Sequence, residues 1–498
     1  MTIFFRLLES DDKGTALHQA IQQLAQQQPN PITFAVEPES FQQVPGAPFA
    51  YWVSEKIRNL FLKLPPFESE ERTVKQGLAT ANDFCFLRVW WEVPKTKIVS
   101  GSATSTLDEL RQKTFENKQW VSFAKGGEYS PYYADLHLVV DWEKDGQPVK
   151  AKKLHDLTIG RITANNSKCW NEGSYFRAGL TWSQRTQKGL NVRPLPSGCI
   201  FGHKGSSGFS SKNEELPFLI GLMNSSAFCR LTELLTCFGS FNEGVIKRVI
   251  LPSSFSDAEK AELSTLAQHI WLLKRSLDIV IQTSHAFVLP ALLQVNGRNL
   301  SDGSLRSRAH VWMNKVITVE IELAQIQSKI DDLVFDLYGI SEGDRVSLNS
   351  SNSVSELAAD SDDDDEDSSS AADLSSLTSE LLAYTLSVAF GHFDVRLATG
   401  DRPLPTEPEP FDPLPVCSPG MLVDENGLPP TEARSLPADY AIVIPFNGIL
   451  VDDEGHPNDI ISHIRDVLKI IWGDQDSDIE QEACEILKVN SLRDYFRK

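Results

Sequence analysis

Residues 77–150 constrain the fold of this chain more than any other stretch. They open with GLATANDFCFLRVWWEV and close with WVSFAKGGEYSPYYADLHLVVDWEKDGQPVK. Four tryptophans (Trp90, Trp91, Trp120, Trp142) fall beside Arg88, Lys125 and the pair Gly126-Gly127. The apolar run 136–140 is followed by Lys144-Asp145-Gly146, a turn signal that predicts a hairpin. The same rhythm continues to residue 255. Short β-rich runs at 136–142, 175–183 and 198–202 alternate with Gly, Asn and Lys turns, which predicts a β-containing module over residues 76–255.

The full chain of 498 residues leaves room for two to four domains and ample core. No apolar run approaches the ~18–20 residues of a membrane span. The start, MTIFFRLLESDDKG, has no basic n-region and no small-residue cleavage site, so it does not read as a signal peptide. Seven scattered cysteines without a CxxC pair support neither a zinc ribbon nor a disulfide framework, and a reducing cytoplasm is the expected compartment. The net charge of −21 is unevenly spread. Residues 341–498 carry 10 basic and 33 acidic side chains, a net of −23, whereas residues 151–250 carry 13 and 6, a net of +7. Phosphates attract Lys and Arg locally, so the basic middle matters more for nucleic-acid binding than the total.

The segments outside the β-rich block have distinct patterns. Residues 1–75 include FQQVPGAPFAYWVSE (41–55), where Pro45, Gly46 and Pro48 fix a turn and Phe49, Tyr51 and Trp52 offer packing surface. Residues 211–235 have apolar spacing of three and four, which predicts a helix. Residues 256–340 predict two long helices. The first is capped at Ser256-Asp257, with a stripe of Leu263, Leu266, Ile270, Leu273 and Leu277. The second spans about 309–338, with Val316, Val319, Leu323, Ile326, Ile330, Leu333 and Leu337. Together they suggest a helical spacer hairpin or short coiled coil. Residues 341–378, with Asp360 and the acidic run 362–367, cannot bury a core and are expected to form a disordered linker. Folded character resumes over 379–498, expected as a small α/β region.

These phrases together resemble the region that follows the catalytic domain in large bacterial adenine-specific DNA methyltransferases. The nearest likeness is to PglX-type enzymes of BREX and DISARM phage-defence systems, and more distantly to type IIG restriction–methylation enzymes. The resemblance is carried by 41–55, the aromatic block, Gly179-x-Thr181-Trp182-Ser183, Gly221-Leu222-x-Asn224-Ser225, Asn242-Glu243-Gly244, Ile246-Lys247, Leu251-Pro252 and IDDLVFDLYGISEGD (330–344). It implies an α+β protein with five parts. These are a lead-in from a methyltransferase domain (1–75), a DNA target-recognition domain (76–255), a helical spacer (256–340), the acidic linker (341–378) and a mixed C-terminal region (379–498). His392 stands where the family is expected to carry Arg, and the chain reads as clipped at both ends relative to the family.

Adenine N6 methylation needs a Gly-rich loop for S-adenosylmethionine. It also needs an Asn/Asp/Ser-Pro-Pro-aromatic motif, whose polar group accepts from the target amine while the aromatic stacks on the flipped base. Leu64-Pro65-Pro66-Phe67 begins with a leucine that cannot accept a hydrogen bond, and Ser130-Pro131-Tyr132-Tyr133 has one proline too few. No Walker loop, HExxH, GxSxG or nuclease core is evident. KGSSGFSSK (204–212) lacks the GK[ST] ending of a phosphate loop and is expected as a mobile loop near DNA backbone. The expectation is therefore no cofactor in this chain, with S-adenosylmethionine belonging to the complete enzyme. The expected partners are double-stranded DNA and a separate methyltransferase-domain polypeptide or other defence-system subunits, with no membrane.

Bases are read by Arg, Lys, Asn and Gln, and phosphates by Lys, Arg, Ser and backbone amides. The densest eligible block is SYFRAGLTWSQRTQK (174–188). Candidate DNA contacts are Arg88, Lys125, Arg177, Ser183, Arg185, Lys188, Arg193 and Lys204, with solvated basic surface as the plain alternative. Arg88 and Lys125 are equally candidates for internal ion pairs, and Trp182 reads as core rather than as a stacking platform. The rival readings are a non-catalytic scaffold or interaction subunit of a defence complex, or a truncated remnant of the methyltransferase.

Overall fold

A computed structural model describes all residues except 9, 237–238, 295–302, 350–372 and 439. Strands are concentrated before residue 211 and helices after it, an α+β arrangement. The first unit pairs β1 (Thr2–Phe5) with β2 (Thr33–Val36) antiparallel, across the helix Lys13–Ala25 that Asp12 caps. Phe4 stacks on Tyr51 at 4.7 Å, which ties this unit to the turn at 45–48. Tyr51 and Trp52 pack as the sequence suggests, but Phe49 is 72 % exposed.

Two four-stranded sheets form the centre. The first has the order β3 (Arg72–Lys75), β10 (Ser207–Ser210), β7 (Gly179–Trp182), β8 (Val192–Leu195), antiparallel throughout. The second has the order β4 (Leu87–Val89), β6 (Leu138–Asp141), β5 (Trp120–Ala124), β9 (Ile200–Phe201), with β5 and β9 parallel. The expected boundary at 75/76 therefore runs along the end of β3, which is the edge strand of the first sheet. Val44, Ala50, Val53, Ile57, Phe61 and Phe67 share one core with Leu180 and Trp182, so the packing unit begins well before residue 76.

Two local expectations are corrected here. Lys144-Asp145-Gly146 does not join two strands: its three residues are left-handed and lead from β6 into the helical part of 143–158. The turn is fixed from outside, because Thr114 accepts the backbone N–H of Lys144 through its carbonyl and that of Asp145 through Oγ1. The segment 204–212 is not a loop either. Ser207–Ser210 is a buried strand between β3 and β7, because both neighbours supply its ladder hydrogen bonds.

The region 211–235 forms two helices rather than one, Leu216–Met223 and Ser226–Glu233. The break falls at Asn224-Ser225, where the Asn224 side chain bonds β8 and Ser225 caps the second helix. The two long helices are Asp257–Asp278, with a Ser256/Glu259 capping box, and Leu305–Tyr338, ended by Gly339 at φ 65°. They are not a detached spacer. Leu263, Ala267 and Ile270 of the first and Ile326, Ile330 and Val334 of the second sit in the same core as Trp182. An apolar stripe of that width needs a partner, and the pair Leu216–Met223 and Ser226–Glu233 supplies it.

The far end of the second long helix (Leu305, Ala309, Trp312) packs with the C-terminal helices Leu374–Ala389, Ile460–Trp472, Asp476–Leu487 and Leu492–Phe496. Among the described residues, the C-terminal region is helical with isolated β-bridges at Phe393–Met421 and Val451–Asp459 and no longer strand, which corrects the α/β expectation. Prolines at 437 and 445 interrupt the apolar run there and remove ladder donors. The acidic run 362–367 and Asp360 lie outside the described residues. The flanks of the expected linker are helical: Glu342–Asn349 on one side, and the helix beginning at Leu374 on the other.

Candidate nucleic-acid interface

The two sheets meet where β5 ends, where β7 ends and where β9 turns into β10. The turn is held by Gly202 N–H to Ala124 O at 2.7 Å and by Gln184 N–H to Lys204 O at 3.0 Å. A Cβ on Gly126 would sit 2.8 Å from the Lys204 carbonyl, so only glycine fits there, at φ +102°. Three backbone segments are thereby pressed together, and they bring the positions of Lys125, Lys204 and Arg185 to one rim, with Lys188 further along the same loop as Arg185. Arg185, Lys188 and Lys204 are exposed. Lys125 pairs with Asp83 at 2.5 Å, so part of its charge is already answered within the protein. Across that pair, burial pushes the Asp83 carboxyl up, but the Lys125 and Thr80 hydrogen bonds outweigh it and the net shift is downward.

The other predicted residues go elsewhere. Arg88 donates to the carbonyls of Phe84 and Leu87, at 2.7 and 2.6 Å, and closes its own turn. Arg177 lies at the opposite end of β7, donating to Ser210 O and covering the Phe209 ring. Ser183 and Arg193 were expected as surface contacts, and the structure corrects this: both are 2 % exposed. Ser183 Oγ donates to Gly127 O at 2.6 Å, and Arg193 donates to Glu128 O and Ser183 Oγ, each at 3.3 Å. They lie directly beneath the rim and hold its glycine loop. Trp182 is core as read: it is fully buried, and Nε1 donates to Phe241 O at 2.7 Å.

Sequence reasoning missed Asn191 and Lys274. Asn191 is fully buried beside Ser183, and Lys274, on the first long helix, donates to Pro131 O at 2.8 Å. The alternation Asn191-x-Arg193 was the available signal, since residues two apart in a strand share a face. A cleft of about 380 Å³ lies apart from this rim, lined by Lys150, Lys168, Trp170 and Glu172 among others. Lys150 is already paired there with Glu172 and Asp145.

The two stretches closest to an amine-binding motif are built into the fold. Phe67 is fully buried, its N–H donates to Val249 O, and Pro65 O accepts from Leu251 N–H. In the second stretch Ser130 Oγ donates to Tyr133 O at 2.5 Å, and the buried Tyr132 donates its hydroxyl to Gln327. Neither presents an acceptor together with a free stacking face, so these residues do not fit the binding of a flipped adenine. No helix among the described residues is long and apolar enough to cross a membrane.

No protein-family model matches the chain. It is 25 % identical over 320 residues, 64 % of its length, to the adenine-specific methyltransferase PglX of Lacticaseibacillus casei (strain Zhang), and covers 25 % of that protein. It is 23 % identical over 442 residues, 87 % of its length, to the adenine-specific methyltransferase BrxX of Escherichia coli O9:H4 (strain HS), and covers 32 % of it. The chain thus spans about a quarter to a third of the length of these curated relatives. By sequence, the chain is a relative of the PglX-like adenine-specific methyltransferases.

Proposed function

We propose that residues 1–498 supply the DNA-recognition part of a site-specific adenine-N6 DNA methyltransferase of bacterial phage defence. Methyl transfer from S-adenosylmethionine is then performed by residues outside them, on a methyltransferase-domain polypeptide with which this chain works. The single observation that carries the reading is the basic rim. Lys125, Arg185 and Lys204 stand on three segments whose backbones meet at the junction of the two sheets, with Lys188 three residues beyond Arg185, while most of the acidic excess lies after residue 340. A duplex binds such a rim through its phosphates, and side chains at the rim's edges are then carried to the groove.

The test is duplex binding measured across a range of salt concentrations. Wild-type protein shows affinity that falls steeply with salt. The substitutions R185A, K188A and K204A each weaken binding and flatten the log–log slope by about one. A folded sample with no salt-dependent duplex affinity, alone or with a methyltransferase-domain polypeptide, replaces this reading with that of a scaffold subunit.

A further inference from the structure

One face of the first sheet is polar and yet buried. The cross-strand register places Lys75, Ser207, Thr181 and Arg193 in one row across β3, β10, β7 and β8. Ser183 and Asn191 follow in the next row on the same face. Ser207 and Asn191 are fully buried, Thr181 is 1 % exposed, and Ser183 and Arg193 are 2 % exposed. The opposite face carries Leu180, Trp182 and Val192, and on the same face as Arg193 the residues two positions further along, Leu195 and Phe209, pack into a second core, so the polar row is confined to the end of the sheet beside the Gly126-Gly127 loop.

Two donors on that face have no acceptor, Asn191 Nδ2 and Arg193 Nε. Buried donors in folded proteins are nearly always paired, so two on one face call for an explanation. An unpaired Nε alone is not diagnostic. Among the described residues, Arg58, Arg72, Arg111 and Arg230 also have one. Each of those four feels a carboxylate: Glu55, Glu215, Asp145 and Glu233 respectively. Arg193 differs. Burial pushes its guanidinium down to about 10, with no carboxylate to offset it, and the half-buried Lys274 is in turn pushed down to about 8 by burial and by Arg193. Two cations therefore lie beneath the same loop with uncharged acceptors: Glu128 O and Ser183 Oγ for Arg193, and Pro131 O for Lys274.

That loop is thin at the critical place. Gly127 is exposed at φ +136°, and a Cβ on it would meet only the Arg193 guanidinium, at 3.7 Å. One glycine separates solvent from an uncompensated charge. We propose that Arg193, Asn191 and Lys274 form an oxyanion site beneath the Gly126-Gly127 loop, and that its ligand is a phosphate group delivered by the DNA backbone. On entry the phosphate oxygens replace the Gly127 and Glu128 carbonyls now turned onto Ser183 and Arg193, and the guanidinium gains a partner of opposite charge. The proposal rests on the DNA-recognition reading only for the source of the phosphate, because a free phosphate has the same chemistry.

The experiment has two arms. In the first, inorganic phosphate is titrated at constant ionic strength and thermal unfolding is followed in wild type, R193M and K274M. A ligand that binds only the folded chain raises its Tm with concentration. The expected result is a phosphate-dependent rise in wild type, none in R193M and a smaller one in K274M. A rise no larger than chloride gives at equal ionic strength, or one kept in R193M, overturns the site. Should R193M fail to fold, N191A and K274M carry the same arm, and undiminished phosphate protection in both overturns the site. In the second arm, a duplex competes with the phosphate. Competition, with a log–log salt slope flatter by about 0.9 in R193M, supports the backbone as source. Phosphate protection that no duplex displaces leaves the site standing with free phosphate as its ligand and overturns the DNA source.

Discussion

Replacing Asn224 by leucine removes one side chain that fixes both a helix break and a sheet edge. Asn224 Oδ1 accepts the Val192 N–H at 2.8 Å, and its Nδ2 donates to Val192 O at 2.7 Å and to Ile220 O at 3.0 Å. The three lost bonds are not equivalent. Val192 O keeps the Tyr132 N–H at 2.8 Å, and Ile220 O keeps the N–H of residue 224 at 3.2 Å. Among the described residues Val192 N–H keeps no other partner, because no further strand lies beside the outer edge of β8. An orphaned buried N–H costs about 1–3 kcal/mol, and each of the two other bonds contributes about 0.5 kcal/mol at the low end of its range. Leucine is close in volume, so little is added for a cavity. The expected loss is about 2–4 kcal/mol. Urea unfolding of wild type and N224L reads it as a lower midpoint at unchanged slope. The variant N224D keeps the acceptor for Val192 N–H but sets a carboxylate against two carbonyls, so it is destabilised at neutral pH and recovers partly in acid. A loss below about 1 kcal/mol in N224L refutes the reasoning, because it means that Val192 N–H finds another partner.

Three further outcomes are expected. Lys95, buried against Trp90, has its ammonium pushed down to about 8 by burial; the unfolded chain then holds the extra proton, so stability rises with pH from about 8 toward the ordinary lysine range, by at most about 1.4 kcal/mol per pH unit from this group. The variant K95M flattens that rise in denaturation curves at pH 8 and 10, and an unchanged rise rules the assignment out. Exchanging Trp182 for phenylalanine removes the donor to Phe241 O and lowers stability by about 1–3 kcal/mol in the same assay; a loss under 0.5 kcal/mol, about the noise of such measurements, speaks against a buried bond there. Replacing the acidic run 362–367 with serine strengthens non-specific duplex binding at low salt and leaves it unchanged at high salt, where screening removes the repulsion; equal binding of both proteins at low salt contradicts the charge argument.

The amino-acid sequence by itself determined the class of architecture and its helical half. Period and capping signals are local, so Ser256 with Glu259 and the stripes at 263–277 and 316–337 located both long helices within a few residues, and the turn residues marked the β-rich block. Trp182 as core was legible from the burial tendency of so large an apolar side chain. Only the tertiary structure decided where the charges went. Arg193 and Arg185 belong to one basic block of sequence, yet one lies under a loop and the other in solvent, because β8 turns every second residue to a face that Gly126-Gly127 covers. Lys125, Arg185 and Lys204 meet although up to 79 positions separate them, and that meeting depends on strand order and on a glycine contact across 126 and 204. Residues 204–212 read as a loop because serine and glycine favour turns locally, and they became a central strand because two neighbouring strands supplied the hydrogen bonds. Periodicity is written in adjacent residues, whereas the exposure of a charge is set by whichever distant segment packs above it.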